Sequence, residues 1–201
     1  MARKVYQFHV SLIGPRPKIW RRIQVPSTYS FWDLHVAVQD AMGWLDYHLH
    51  AFDIPHPDGG PAACIGIPDE CGFEEDPPVL PGWQVPISGY FAPGNPAAEY
   101  TYDFGDDWRH AVVLEDILPR VTGVRYPLCV AGEMRCPPED VGGPRGYREF
   151  LEAISDRRHP EHESYLEWVG GAYDPRAFDP ARVRFDSPNR RWKKAFTEPD
   201  R

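Results

Sequence analysis

At 201 residues, with 42% hydrophobic and 13% aromatic side chains, the chain is long enough to bury one sizeable core and too apolar to stay disordered. Its formal net charge of -8 excludes wholesale neutralisation of a phosphate backbone, because non-specific affinity for nucleic acid comes from lysine and arginine. No segment is apolar for long enough to cross a bilayer, and residues 1–9 lack the apolar stretch and small-residue cleavage site of a secretory signal. The expected compartment is therefore cytoplasmic, with no membrane partner and with the four cysteines reduced.

Tyr6, Phe8, Val10 and Leu12 alternate with Gln7, His9 and Ser11, which predicts a half-buried strand. Gly14-Pro15-Arg16-Pro17 turns the chain into a second strand over residues 19–25. Ser30 followed three residues later by Asp33 resembles a capping box, Phe31, Leu34, Val38 and Ala41 recur at helical spacing, and Gly43 sits where a helix would stop. A third strand is expected from about Tyr47, with His48 and His50 on the face of Phe52 and Ile54. Residues 55–98 hold ten of the 23 prolines and seven glycines and show no periodicity, so a surface excursion over the sheet is expected there, carrying Cys64, Asp69, Glu70 and Cys71.

Residues 100–110 read as an aromatic hairpin with a carboxylate-rich turn. Tyr100, Tyr102 and Phe104 form one apolar face, with Asp103 pointing the other way, and Gly105-Asp106-Asp107 supplies the turn. Trp108, His110, Val112 and Leu114 fall on one side of the return strand. Asp103, Asp106 and His110 are candidate ligand-binding groups; equally, aspartates in turns bond their own backbone without any ligand.

Cys129 and Cys136 are separated by six intervening residues, wider than the spacing of zinc ribbons, and Pro-Pro-Glu-Asp follows the second. As thiolates they would hold zinc, completed by an imidazole from His48, His50 or His110; otherwise they are small buried residues beside a rigid turn. Glu139 and Asp140 have an ordinary alternative role at the N-terminus of a following helix. Tyr147, Phe150, Leu151 and Ile154 form the apolar stripe of that helix, and a second helix is bounded by Pro160 and Gly170-Gly171, with Leu166 and Val169 inward. A short strand is expected at residues 183–185, and a basic, solvated C-terminal tail at residues 187–201. The order of elements predicts a single α+β domain over residues 1–186, with a mixed or antiparallel sheet packed by helices.

Three stretches, His48-Leu49-His50-Ala51-Phe52, residues 102–108 and residues 129–143, together resemble the Ri-plasmid pRiA ORF-three-like family, whose members are also labelled passenger TnpR proteins of insertion elements. The resemblance runs over residues 6–185 and includes Trp168-Val169-Gly170-Gly171 and Phe178-Asp179. It implies a single α+β domain of the family's own type, associated with plasmids or mobile elements, and names no reaction. A serine recombinase needs a nucleophilic serine in an arginine-rich pocket and a helix-turn-helix, and the chain offers neither.

Two functions follow from the residues. In the first the domain is a binding or accessory module, in which His50, Asp103, Asp106, His110, Glu139 and Asp140 bind a small ligand or protein partner, with Cys129, Cys136 and His48 as metal ligands. In the second it is a metal-dependent hydrolase, with Asp103, Asp106, Glu139 and Asp140 holding a divalent ion that activates water for attack on a phosphoester. No phosphate-cradling glycine loop, His-Glu-x-x-His helix or nucleophile elbow is present, so the binding module leads. Strong binding to duplex DNA is not expected.

Overall fold

Burial alternates along residues 20–26 and through the middle of residues 4–12, so the first two strands set one face in the core and leave the other half-buried. The computed structural model describes residues 4–68 and 78–197. In chain order it comprises β1 (Lys4–Leu12), β2 (Trp20–Pro26), α1 (Phe31–Met42), β3 (His50–Ile54), β4 (Ala63–Gly66), β5 (Leu80–Pro81), β6 (Ala97–Tyr102), β7 (Trp108–Pro119), β8 (Leu128–Glu133), α2 (Gly143–Ser155), α3 (His162–Trp168) and α4 (Pro188–Phe196). The described strands form one mixed sheet in the order β5-β4-β3-β6-β7-β1-β2-β8, parallel only between β4 and β5. This is the α+β single domain expected from the order of elements.

The capping box that starts α1 is present: Ser30 Oγ accepts from the Asp33 amide, Asp33 returns a carboxylate oxygen to the Ser30 amide, and Gly43 closes the helix in the left-handed region. Phe31, Leu34 and Val38 pack with Phe8, Ile23, Phe52 and Tyr100 in one continuous core. The opposite face of the sheet carries exposed pairs such as Arg22–Glu115 and Arg109–Glu99, which serve solubility more than stability.

Four expectations are corrected. Residues 55–98 do not simply pass over the sheet: their described part adds β4 and β5 to its edge and buries Ile87 and Phe91 in the core. Asp69, Glu70 and Cys71 lie outside the described residues. No strand forms at residues 183–185; a 3-10 turn at Pro180–Arg182 precedes them. The basic stretch is α4 rather than a solvated tail, because Trp192 is drawn onto Trp32 and Trp83 and Arg191 onto buried carboxylates. Finally, Phe104 leaves the apolar face of the hairpin and is exposed, since the chain has already turned left-handed at Asp103.

Candidate functional site

The hairpin supplies the first part of the site. Tyr102 pairs with Trp108, so residues 103–107 form the turn, and Asp103 and Asp107 both adopt left-handed backbone, with φ of 56° and 52°. Aspartate tolerates this conformation because its short carboxylate can bond nearby amides. Asp103 Oδ1 accepts from the amides of Gly105 (2.9 Å) and Asp106 (3.2 Å), and its own amide donates to the Leu49 carbonyl at 2.9 Å. With Oδ1 engaged, Oδ2 faces the imidazole Nε2 of His48 at 3.6 Å.

His48 arrives on the connection from α1 to β3, which is tied down residue by residue. The Trp44 indole donates to the Pro137 carbonyl at 3.1 Å, the Leu45 amide to Glu139 Oε1 at 2.6 Å, and the Tyr47 amide to the Tyr102 hydroxyl at 3.0 Å. These bonds draw residues 137–140 across the end of the sheet. Asp140, itself left-handed with φ of 55°, then places Oδ1 2.9 Å from His48 Nε2.

One donor atom from each of His48, Asp103 and Asp140 thus lies within 4.8 Å of the other two. An imidazole nitrogen with two carboxylates is a donor set for a divalent cation that leaves positions for water or a ligand, and zinc and manganese both suit it. Asp140 is exposed and His48 partly open to solvent, whereas Asp103 is buried.

Beside this group, Glu139 is half-buried, and its carboxylate accepts from the Tyr102 hydroxyl at 3.2 Å. Burial pushes the Glu139 carboxyl above its ordinary range, against the opposing pull of the Leu45 amide and Tyr102. Glu139 and Asp140 line a cleft of about 440 Å³ whose walls include Trp44, Arg135, Trp168 and Tyr173. The peptide amides at residues 45 and 47 and the part Trp44 plays in the cleft were not read from the sequence. The signal that could have found them is the run of polar and aromatic residues between the helix stop at Gly43 and the strand start at His50.

Asp103, Asp106, Glu139, Asp140 and His48 therefore gather at one end of the sheet. Asp106 contributes structurally: its Oδ2 accepts from the Gly142 amide at 3.2 Å, taking the role at the start of α2 expected of Glu139 and Asp140. His50 and His110 share the core face, two strands apart, and belong to the interior instead. His50 stacks on His35 with ring centroids 3.4 Å apart, and burial holds its pKa well below the usual value. His110 Nδ1 lies 3.1 Å from the Tyr100 carbonyl and Trp44 stands edge-on to its ring; burial lowers its pKa to about 4.

The zinc set of Cys129, Cys136 and His48 is not assembled. Among the described residues, His48, Asp103 and Asp140 form the one group of three or more with metal-ligand geometry. Burial raises both thiols above the ordinary range, with the nearby Arg21 guanidinium opposing it. The Cys136 carbonyl accepts from the Tyr173 hydroxyl at 2.9 Å, so this residue holds the cleft wall through its backbone.

Among the described residues, no helix is long and apolar enough to cross a membrane. A family model described as plasmid pRiA4b ORF-3-like protein matches residues 4–182. The chain is 36% identical over 190 residues to the uncharacterized protein y4hQ of Sinorhizobium fredii, covering 94% of this chain and 91% of that one. Its fold matches the crystal structure of MM3350, a protein of unknown function from Methanosarcina mazei Go1, with a TM-score of 0.85 and 45% sequence identity, over 92% of this chain and 100% of that one.

Proposed function

Because the chain belongs to the plasmid pRiA4b ORF-3-like protein family, we propose that it is a cytoplasmic binding or accessory module that holds a divalent cation between His48, Asp103 and Asp140 and receives a small ligand or protein partner in the adjoining cleft. One observation carries this reading: three segments distant in sequence bring an imidazole and two carboxylates within 4.8 Å of one another, at the mouth of a cleft of about 440 Å³. Sites built on such rigid turns keep their geometry without a ligand. Strong duplex DNA binding is not part of this function, since Arg190 and Arg191 in the basic stretch are already paired with Asp186, Asp40 and Asp46.

Elemental analysis of the purified chain, followed by calorimetric titration with zinc and manganese, tests the proposal. One ion per chain in the wild type, lost in His48→Ala, is the expected result. Absence of both a retained ion and a heat of binding overturns it.

Glu139 favours a second reading, metal-assisted hydrolysis of phosphoesters. With a cation held by His48, Asp103 and Asp140, which would polarise a water molecule, the adjoining half-buried Glu139 carboxylate would serve as the general base. Turnover of bis(4-nitrophenyl) phosphate by the zinc- or manganese-loaded chain, abolished in Glu139→Gln, would replace the binding module with the hydrolase. No turnover above the metal ion alone removes the hydrolase reading.

A further inference from the structure

Asp46 lies two residues before His48 and is the point at which the connection from α1 to β3 is held from behind. Its backbone is left-handed, with φ of 61°, a conformation that costs a non-glycine residue free energy unless its surroundings fix it. The fixing is done by its carboxylate. Oδ1 lies 2.9 Å from His35 Nε2, and Oδ2 lies 3.5 Å from the guanidinium of Arg191.

Both partners are anchored in turn. His35 is fully buried, with Nδ1 2.8 Å from the Tyr100 hydroxyl, which also accepts from Gln39 Nε2 at 2.9 Å. Arg191 is on α4 and bonds Asp40 of α1 at 2.6 Å, while the other Asp40 oxygen accepts from the Asp186 amide at 2.7 Å. Around this pair α4 is seated by aromatic contacts. Trp192 meets Trp83 with centroids 4.4 Å apart and Trp32 at 5.5 Å, and the Trp32 indole donates to the Pro188 carbonyl at 3.1 Å.

We propose that Arg191 is a positioning residue for the cation site: docking of the C-terminal helix inserts its guanidinium between Asp40 and Asp46, fixes the turn at Asp46, and so sets His48 against Asp103 and Asp140. This inference rests on the cation-binding reading for its consequence, not for its geometry. A tether of this kind is reciprocal, so a cation at His48 tightens the docking of α4 as much as the docked helix favours the cation. Arg191 suits the role because its planar fork can engage two carboxylates at once, which the point charge of lysine does less well.

Hydrogen exchange of the metal-free full chain tests the tether itself. In Arg191→Met the Leu45 and Tyr47 amides, bonded to Glu139 and Tyr102, are expected to exchange about tenfold faster than in the wild type, with partial protection restored in Arg191→Lys. Cobalt(II) titration of the same proteins is expected to show binding about tenfold weaker in Arg191→Met, again partly recovered by lysine. If Arg191→Met does not fold, Asp40→Asn loosens Arg191 while leaving Asp46 intact and takes its place. Unchanged exchange at Leu45 and Tyr47 in the folded variant, or faster exchange with unaltered cobalt(II) affinity, overturns the proposal. Faster exchange in a protein whose wild type binds no cobalt(II) retains the tether and removes the cation reading instead.

Discussion

His48 Nε2 and Asp140 Oδ1 lie 2.9 Å apart although they are 92 positions apart in the chain. The contact closes the end of the sheet, because two hydrogen bonds hold the partners' segments together: the Leu45 amide donates to the Glu139 carboxylate, and the Trp44 indole to the Pro137 carbonyl. Asp103 completes the group from a third segment, and its two carboxylate oxygens do separate work, one bonding the turn and the other facing the imidazole.

That division makes Asp103→Asn informative. Asparagine accepts left-handed backbone and keeps a carbonyl oxygen for the Gly105 and Asp106 amides, so stability should change by less than about 0.5 kcal/mol while cation affinity is lost. Asp103→Ala removes the turn bonds as well and should cost about 1 to 2 kcal/mol. Urea unfolding and zinc titration of both variants check this; a large loss of stability in the asparagine variant would mean that the charge itself holds the turn.

The buried His110 predicts an acid limb in stability. Its folded pKa of about 4 lies below the ordinary histidine value of 6.5, so between those values the unfolded chain binds the proton more readily. The contribution is complete above pH 6.5 and is lost as pH falls toward 4, by an amount on the order of 3 kcal/mol. His50, lowered by burial and by His35, adds to the same limb. Unfolding free energies measured from pH 4 to pH 7 should flatten in His110→Gln, and an unchanged slope would remove His110 as a source.

Gly143 sets the distance between the hairpin turn and α2. Its φ is +67°, and an added Cβ would collide with the Asp106 carbonyl oxygen, which cannot withdraw without moving the turn. Gly143→Ala should therefore destabilise the fold by roughly 1 to 3 kcal/mol. It should also weaken cation binding, through Asp103 in the same turn. Thermal unfolding together with zinc titration tests both effects, and a variant as stable as the wild type would show that the turn yields freely.

The elements that local pattern specifies were legible in the sequence. The alternation in β1, the capping box and Gly43 stop of α1, and the shared face of Trp108, His110, Val112 and Leu114 follow from strand and helix periods acting over a few residues. The gathering of His48, Asp103 and Asp140 was only partly legible, since residue type marks a polar group as ligand-capable but does not say which others it meets. His50 and His110 looked like site residues because imidazole is chemically versatile. Tertiary packing decided otherwise, placing both on the core face, where desolvation keeps them neutral.

The sequence by itself determined a single α+β domain, its hairpin and its capped first helix, because these depend on interactions between near neighbours. Only the tertiary structure decided that Cys129 and Cys136 lie near Arg21 and do not converge with His48, and that the basic C-terminal stretch folds back so that Arg191 reaches Asp40 and Asp46. Those outcomes rest on contacts between residues as many as 151 positions apart, where burial and pairing of charge outweigh any local preference.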